Sequence, residues 1–205
     1  MILDPRLTQL LCARLCHDLG GAIGTITGML DLIETSEDEA LSVARDAASD
    51  LRRRLKLYSA AWGQSAQDME AADIAELLAG SPAAARVRFL VEAFLPAFLP
   101  GPVVSMALNA ALLAADALPR GGAVHVAGGA EGGLAIWPEG INAAWPQELL
   151  ATLSGAAVEE SLASGPRRAQ VPWLVTLATQ AGWQVSLGLG AGQGVPPLLL
   201  APAHR

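Results

Sequence analysis

Cysteine, histidine and positive charge are all scarce in this chain of 205 residues. It has two cysteines, three histidines, and 13 basic against 20 acidic residues, for a formal net charge of -7. Each scarcity excludes something. A nucleic-acid binder needs a basic surface to neutralise phosphates, and the acid excess argues against one. The one basic run, Arg52-Arg53-Arg54-Leu55-Lys56, reads as the solvated face of a helix. Cys12 and Cys16 lie four apart on one predicted helix, too poorly aimed at each other for a comfortable disulfide. No histidine or cysteine stands at ligand spacing from them, so they are not a zinc site, and no metal-binding residues are expected. They read as small buried thiols in a reducing compartment. No apolar run reaches the roughly 18 to 20 residues of a membrane span without a charge or a proline. The opening Met1-Ile2-Leu3-Asp4-Pro5 has no basic region ahead of an apolar core, so no signal peptide is expected. A soluble cytoplasmic protein without membrane or nucleic-acid partners is the expectation. No Ser-His-Asp or Cys-His nucleophile set is evident, and a Cys16-His17 dyad fails because adjacent helical residues point about 100° apart.

What is present is carbon. Hydrophobic residues make up 52% of the chain and charged ones 16%, enough for a sizeable core in one large or two small domains. Apolar residues at Leu15, Leu19, Ala22, Ile26, Met29 and Ile33 alternate in steps of four and three, predicting a helix over 4–35. Asp4 fits its N-cap and Pro5 its first turn. Thr35 to Glu39 reads as a turn, with Ser36 and Glu39 in capping-box spacing. A second helix to about Gly63 has Leu41, Ala44, Ala48, Leu51, Leu55 and Tyr58 as its inner face. Helices this long exceed what a small monomer covers and suit a hairpin that dimerises into a four-helix bundle. After a polar linker over 64–72 the character changes. A short helix over 73–79, a strand over 86–92 and a helix over 102–118 ending at Pro119-Arg120-Gly121-Gly122 come first. A hairpin of 123–127 and 133–137, a helix near 146–153, a helix over 171–181 and a last hairpin of 183–189 and 195–200 follow. The fold class is α+β. An antiparallel helical hairpin within residues 1–66 precedes an α/β sandwich over 73–205, with helices on one face of a mixed sheet.

His17 is the residue with chemistry. It lies about 200° around the helix from Leu15 and Leu19, so it faces out where they face in. Neutral imidazole keeps one bare nitrogen that can attack phosphorus in line. Asp18 can orient the ring or hold its proton, point to solvent, or pair with Arg14 at i-4. Arg14 can steady phosphoryl oxygens. The outward seam continues through Gly21, Gly24 and Gly28 to Asp31. Three mid-helix glycines cost roughly 1 kcal/mol each relative to alanine. They form a shallow docking groove for a partner's helix, permit close packing of the chain's own helices, or kink the helix. His17-Asp18 also matches the doublet of metal-dependent phosphohydrolases, but those need further histidines and aspartates, and His125 and His204 are not placed to supply them.

Arg14-Leu15-Cys16-His17-Asp18-Leu19, continued by Gly24, Ile26 and Leu30-Asp31-Leu32-Ile33, resembles the phosphoacceptor box of the ChpT-type histidine phosphotransferases of alphaproteobacteria. Ala114-Ala115-Asp116-Ala117-Leu118-Pro119-Arg120-Gly121-Gly122 resembles a second segment of that family. Where the family has a proline near Ala22 and asparagines near Thr27 and Gly28, this helix is richer in glycine. The resemblance implies a dimeric histidine-kinase-like hairpin followed by a degenerate kinase ATPase domain. It implies a phosphohistidine at His17, with Asp18 and Arg14 supporting it. It implies as partners the receiver domains of hybrid histidine kinases and of response regulators, with Mg2+ on the receiver. Asn109 falls where the kinases' N-box asparagine would be, but the second position is Leu113, which cannot ligate magnesium. Trp137-Pro138-Glu139-Gly140 stands where an Asp-x-Gly-x-Gly would be expected. The glycine-rich 188–194 sits between strands rather than ahead of a helix. No ATP binding, no autokinase activity and no cofactor are therefore expected. A non-catalytic dimeric adaptor that binds response regulators without transfer is the alternative, and a histidine kinase with eroded motifs a third reading.

Overall fold

The computed structural model describes residues 5–32, 37–63, 67–93, 97–129, 132–155, 169–189 and 194–203. Helix α1 (Pro5–Asp31) and helix α2 (Glu37–Trp62) form the hairpin. At 1.5 Å per residue each is about 40 Å long. The expected caps at Asp4 and Ser36 lie outside the described residues.

A two-residue strand β1 (Met69–Glu70) leads into α3 (Ala71–Leu78), whose N-terminus carries a reciprocal capping box between Glu70 and Asp73. Strand β2 (Val87–Val91), the short β3 (Phe98–Leu99) and helix α4 (Gly101–Asp116) follow. After them come β4 (Gly122–Gly128), β5 (Leu134–Glu139), α5 (Gln147–Leu153), α6 (Gln170–Ala181), β6 (Trp183–Leu187) and β7 (Leu198–Pro202). Five strands make one mixed sheet in the order β2-β4-β5-β7-β6. β2 and β4 are parallel, joined by the crossover that contains α4, and every other pair is antiparallel. β1 and β3 pair separately. Neither was expected, because two residues hold no period to read.

Helix α4 is the centre of the molecule. All of Val103 to Ala115 is buried, as a helix apolar all round requires. Its first amide, at Gly101, donates to Asp68 Oδ1 at 2.9 Å. At its other end the Arg86 guanidinium donates to the carbonyls of Leu118 and Ala115, a cation at the negative end of the helix. The turn into β4 needs glycine: Gly121 has φ 78, and a Cβ there would strike the carbonyl oxygen of Arg86. Against α4 the sheet presents Val124, Val126, Leu134, Ile136, Leu198 and Leu200 in one core. The alternate positions on the opposite face include Leu90, His125, Trp137 and Leu199.

The hairpin shares this core. Leu57, Tyr58 and Ala61 of α2 are buried with α4, and Leu15 and Leu19 of α1 pack against the same cluster. This corrects the expected inner face of α2. Ala44 and Tyr58 are buried as expected, but Ala48 is exposed and Leu55 is 44% exposed. A helix with α1 along its length and α4 at its end has two inner faces, and a single heptad seam describes neither. Cys12 and Cys16 are also exposed, not buried as expected, because the residues that α1 turns toward the core are its neighbours Leu15 and Leu19.

Candidate functional site

His17 sits in the fourth turn of α1 with its side chain 74% exposed. Its Nδ1 is 3.2 Å from Asp18 Oδ1. A carboxylate oxygen accepts, so this contact favours the tautomer with the proton on Nδ1. Nε2 has no partner among the described residues, which leaves the nucleophilic nitrogen facing water.

Asp18 is far more enclosed, at 16% exposure. Its Oδ2 accepts from the Tyr58 hydroxyl at 2.6 Å, and the Arg14 Nε lies 3.7 Å from the same oxygen. Its backbone carbonyl accepts from Arg54 Nη1 at 3.0 Å. So Asp18 does not point to solvent: it touches His17 on one oxygen and Tyr58 on the other, with Arg14 beside it. Burial, first, and then the hydrogen bond and charge of Asp18 push the Tyr58 hydroxyl well above its ordinary range. Tyr58 therefore remains a donor at any physiological pH.

Arg14 crosses from the hairpin to the second half of the chain. Its Nη1 donates to Gln170 Oε1 at 2.7 Å and its Nη2 to Asp116 Oδ2 at 3.2 Å, and the side chain is 13% exposed. Gln170, fully buried, donates in turn to the carbonyl of Asn109 at 3.1 Å. Asn109 Oδ1 accepts from Trp62 Nε1 at 2.9 Å, and Trp62 stacks on Tyr58 with ring centroids 4.4 Å apart. Hydrogen bonds, one ion pair and one aromatic stack thus close a ring: Asp18, Tyr58, Trp62, Asn109, Gln170, Arg14 and back to Asp18. Of its members the sequence singled out Asp18, Arg14 and Asn109. Tyr58 was read as an inner-face residue. Gln170 carried no signal at all, since its partners lie 61 and 156 residues away.

The Asn109 side chain is engaged within the fold. Its amide nitrogen donates to the carbonyls of Ala61 and Ser105 at 2.9 and 2.8 Å, and with Trp62 these use both donors and one acceptor position of the side-chain amide. Leu113, one turn on, lines a cavity of about 480 Å³ with Asp116, Arg86, Glu148 and Val171. It presents carbon where a metal-ligating asparagine would stand.

The glycines of α1 are open. A Cβ built at Gly21, Gly24 or Gly28 meets nothing within 4 Å. Among the described residues, packing of the chain's own helices therefore does not account for them. The hydroxyls of Thr25 and Thr27 bond back to the carbonyls of Gly21 and Ile23. His125 is remote from this face: its Nε2 is 2.7 Å from Glu139 Oε2 and its ring stacks on Trp137. His204 lies outside the described residues. Among the described residues no three His, Cys, Asp or Glu side chains gather as a metal site, and no helix is long and apolar enough to cross a membrane.

The model of the histidine phosphotransferase C-terminal domain matches residues 70–192, more than half of the chain. The chain belongs to that histidine phosphotransferase family. It is 28% identical over 189 residues to the protein phosphotransferase ChpT of Brucella abortus (strain 2308), covering 88% of this chain and 89% of that one. A solved structure of a bacterial phosphotransferase shares its fold, with a TM-score of 0.74 at 24% identity, covering 98% of this chain and 97% of that one. The family match lies in the second half, and the relative's match, at 88% of this chain, takes in part of the hairpin as well.

Arg14→Ala leaves the buried Gln170 oxygen without its donor. We expect the variant to lose about 1 to 3 kcal/mol of stability, the cost of an unsatisfied buried acceptor, read as a lowered midpoint in urea unfolding at constant slope.

Proposed function

We propose that this chain is a histidine phosphotransfer protein that relays a phosphoryl group between receiver-domain aspartates through a phosphohistidine at His17. The observation that carries the reading is an exposed imidazole whose inward nitrogen is held by an enclosed carboxylate and whose outward nitrogen is free. In the transfer, the Nε2 lone pair attacks phosphorus. The N–P bond forms as the bond to the receiver's aspartyl oxygen breaks, and the electron pair leaves on that oxygen. The proton on Nδ1 stays in place, its bond to Asp18 strengthening as the ring gains positive charge. Onward transfer is the same step reversed against a second aspartate. Arg14, turned toward Gln170 and Asp116, acts by holding Asp18 and the second half of the chain rather than by reaching for the phosphoryl oxygens. Mg2+ belongs to the receiver. ATP and a resident cofactor have no part, an inference supported by Leu113 and by the internal engagement of Asn109. The acid excess supports protein partners over nucleic acid, and receivers of this kind place the protein in the cytoplasm.

The receiver docks along the open stripe of Gly21, Gly24 and Gly28, where the backbone can be approached closely beside His17. The protein acts as a homodimer. Ile23 and Leu30 are half exposed and, with exposed Cys16, repeat every seven residues on α1, while exposed Ala48 and Leu55 do so on α2. Two hairpins meeting on these seams make a four-helix bundle.

Three measurements test this. Mixed with receivers charged with labelled phosphate, the wild type is expected to take up alkali-stable, acid-labile label and His17→Ala none. A receiver that binds without exchange with either protein would mark a non-catalytic adaptor instead. Gly24→Leu is expected to slow transfer about tenfold or more while leaving the oligomeric state unchanged, since a tenfold loss is only about 1.4 kcal/mol of docking. Full-rate transfer by that variant would remove the groove. Ile23→Asp is expected to elute as a monomer in size-exclusion chromatography with light scattering where the wild type elutes as a dimer. Equal masses would remove the bundle.

A further inference from the structure

Tyr58 is the only tyrosine in the chain, and its hydroxyl is not needed for packing. A phenylalanine would stack on Trp62 and fill the same volume. A buried hydroxyl costs free energy unless it is bonded, and this one spends its bond on Asp18 Oδ2 at 2.6 Å. The choice of partner bears on His17. Adjacent residues on a helix point about 100° apart and do not face each other, so a bond from His17 to Asp18 is not automatic. It requires the carboxylate to be turned toward its neighbour and kept there. The other groups around Asp18 do not select that orientation. Arg54 holds the Asp18 backbone carbonyl, which fixes the helix and not the carboxylate. Arg14 Nε lies 3.7 Å from Oδ2, too far for a hydrogen bond, and its terminal nitrogens are engaged by Gln170 and Asp116. Among the described residues, the Tyr58 hydroxyl makes the short, directed bond to one carboxylate oxygen, and it leaves Oδ1 for the imidazole.

We propose that Tyr58 is a positioning residue for phosphoryl transfer. Its hydroxyl fixes the Asp18 carboxylate with Oδ1 toward His17 Nδ1, and so holds the imidazole in the tautomer and orientation that present bare Nε2 to the incoming phosphorus. The assignment rests on the phosphohistidine reading of His17. Tyr58 exchanges no proton in the step. The Nδ1 proton stays between ring and carboxylate while the N–P bond forms and the aspartyl P–O bond breaks. Trp62 stacks on the Tyr58 ring within α2, and Asn109, through the indole bond, holds Trp62 from the second half of the chain.

The test is Tyr58→Phe in the full-length protein. The 15N resonances of the His17 ring, read without any phosphodonor, are expected to show mainly the Nδ1–H tautomer in the wild type and a redistribution toward Nε2–H in the variant. Transfer from a labelled receiver is expected to slow about tenfold, the effect of one charge-assisted hydrogen bond, with receiver affinity unchanged. Wild-type tautomer populations and a rate within twofold of wild type would overturn the proposal. A second measurement needs no substitution at Tyr58. Protein grown with 3-fluorotyrosine carries one fluorine, beside Asp18, and is phosphorylated with potassium phosphoramidate. The 19F resonance is expected to move in the wild type and to stay in place in His17→Ala. A resonance that ignores His17 phosphorylation would also overturn the assignment. A wild type that accepts no phosphoryl group from any receiver would sink the relay reading by itself, because the ring tautomer and the 19F response are both read without one.

Discussion

The amide of Asn109 is the point on which the arrangement turns. It is fully buried at the middle of α4, and an unbonded amide there would cost several kcal/mol. Its needs are met from more than one element. α2 supplies the Ala61 carbonyl and the Trp62 indole, and α4 the Ser105 carbonyl, while Gln170 of α6 binds the backbone oxygen of the same residue. Apolar contact between α2 and α4 would tolerate sliding by a fraction of a turn. These directed bonds do not, so they set the height and rotation of α2 against α4. The stack of Trp62 on Tyr58 carries that setting to Asp18, and Asp18 carries it to His17. A residue that sequence comparison with kinases associates with nucleotide is here spent on joining the two halves of the chain.

The second half also holds the hairpin directly. The Arg14 guanidinium leaves the hairpin and ends on Gln170 and Asp116, and Leu15 and Leu19 pack into the core built around α4. The turn of α1 that bears His17 is therefore gripped on its inner side by groups from both halves, and is bare on its outer side. A bond that must form in line needs both conditions, a ring held still and an unobstructed approach.

How much of this was legible depended on range. The α+β class, the order of the elements and the outward position of His17 follow from periodicities of two and 3.6, which are properties of short windows. The boundaries of α4 and α6 were read to within one or two residues for the same reason. What the sequence withheld is relational. Tyr58 stood in the expected inner face of α2, but that it meets Asp18, 40 residues earlier, depends on the register of the hairpin, which no local pattern states. Leu57 and Ala61 displaced Leu55 and Ala48 because α2 answers to α1 and α4 at once. Gln170 was unremarkable in sequence because its importance comes from where α6 is set against α4. The glycine stripe was seen, and only the space around each Cβ could tell packing of the chain's own helices from its other two readings.

The stripe has a consequence for how α1 moves. Up to Leu19 the helix is anchored by side chains, whereas over 20–28 four glycines leave its backbone amides without a covering of carbon. Glycine weakens a helix by keeping more freedom in the open chain. Local opening is easiest where few side chains bury the bonds. The helix is thus graded along its length, stiff around the imidazole and compliant one turn further on. A body that settles on the compliant part would quench its motion and bear an entropic cost in doing so, which weakens its grip and speeds its departure. On the proposed relay, in which one histidine receives from one partner and gives to another, a short residence on the glycine face is an advantage that tighter packing would take away.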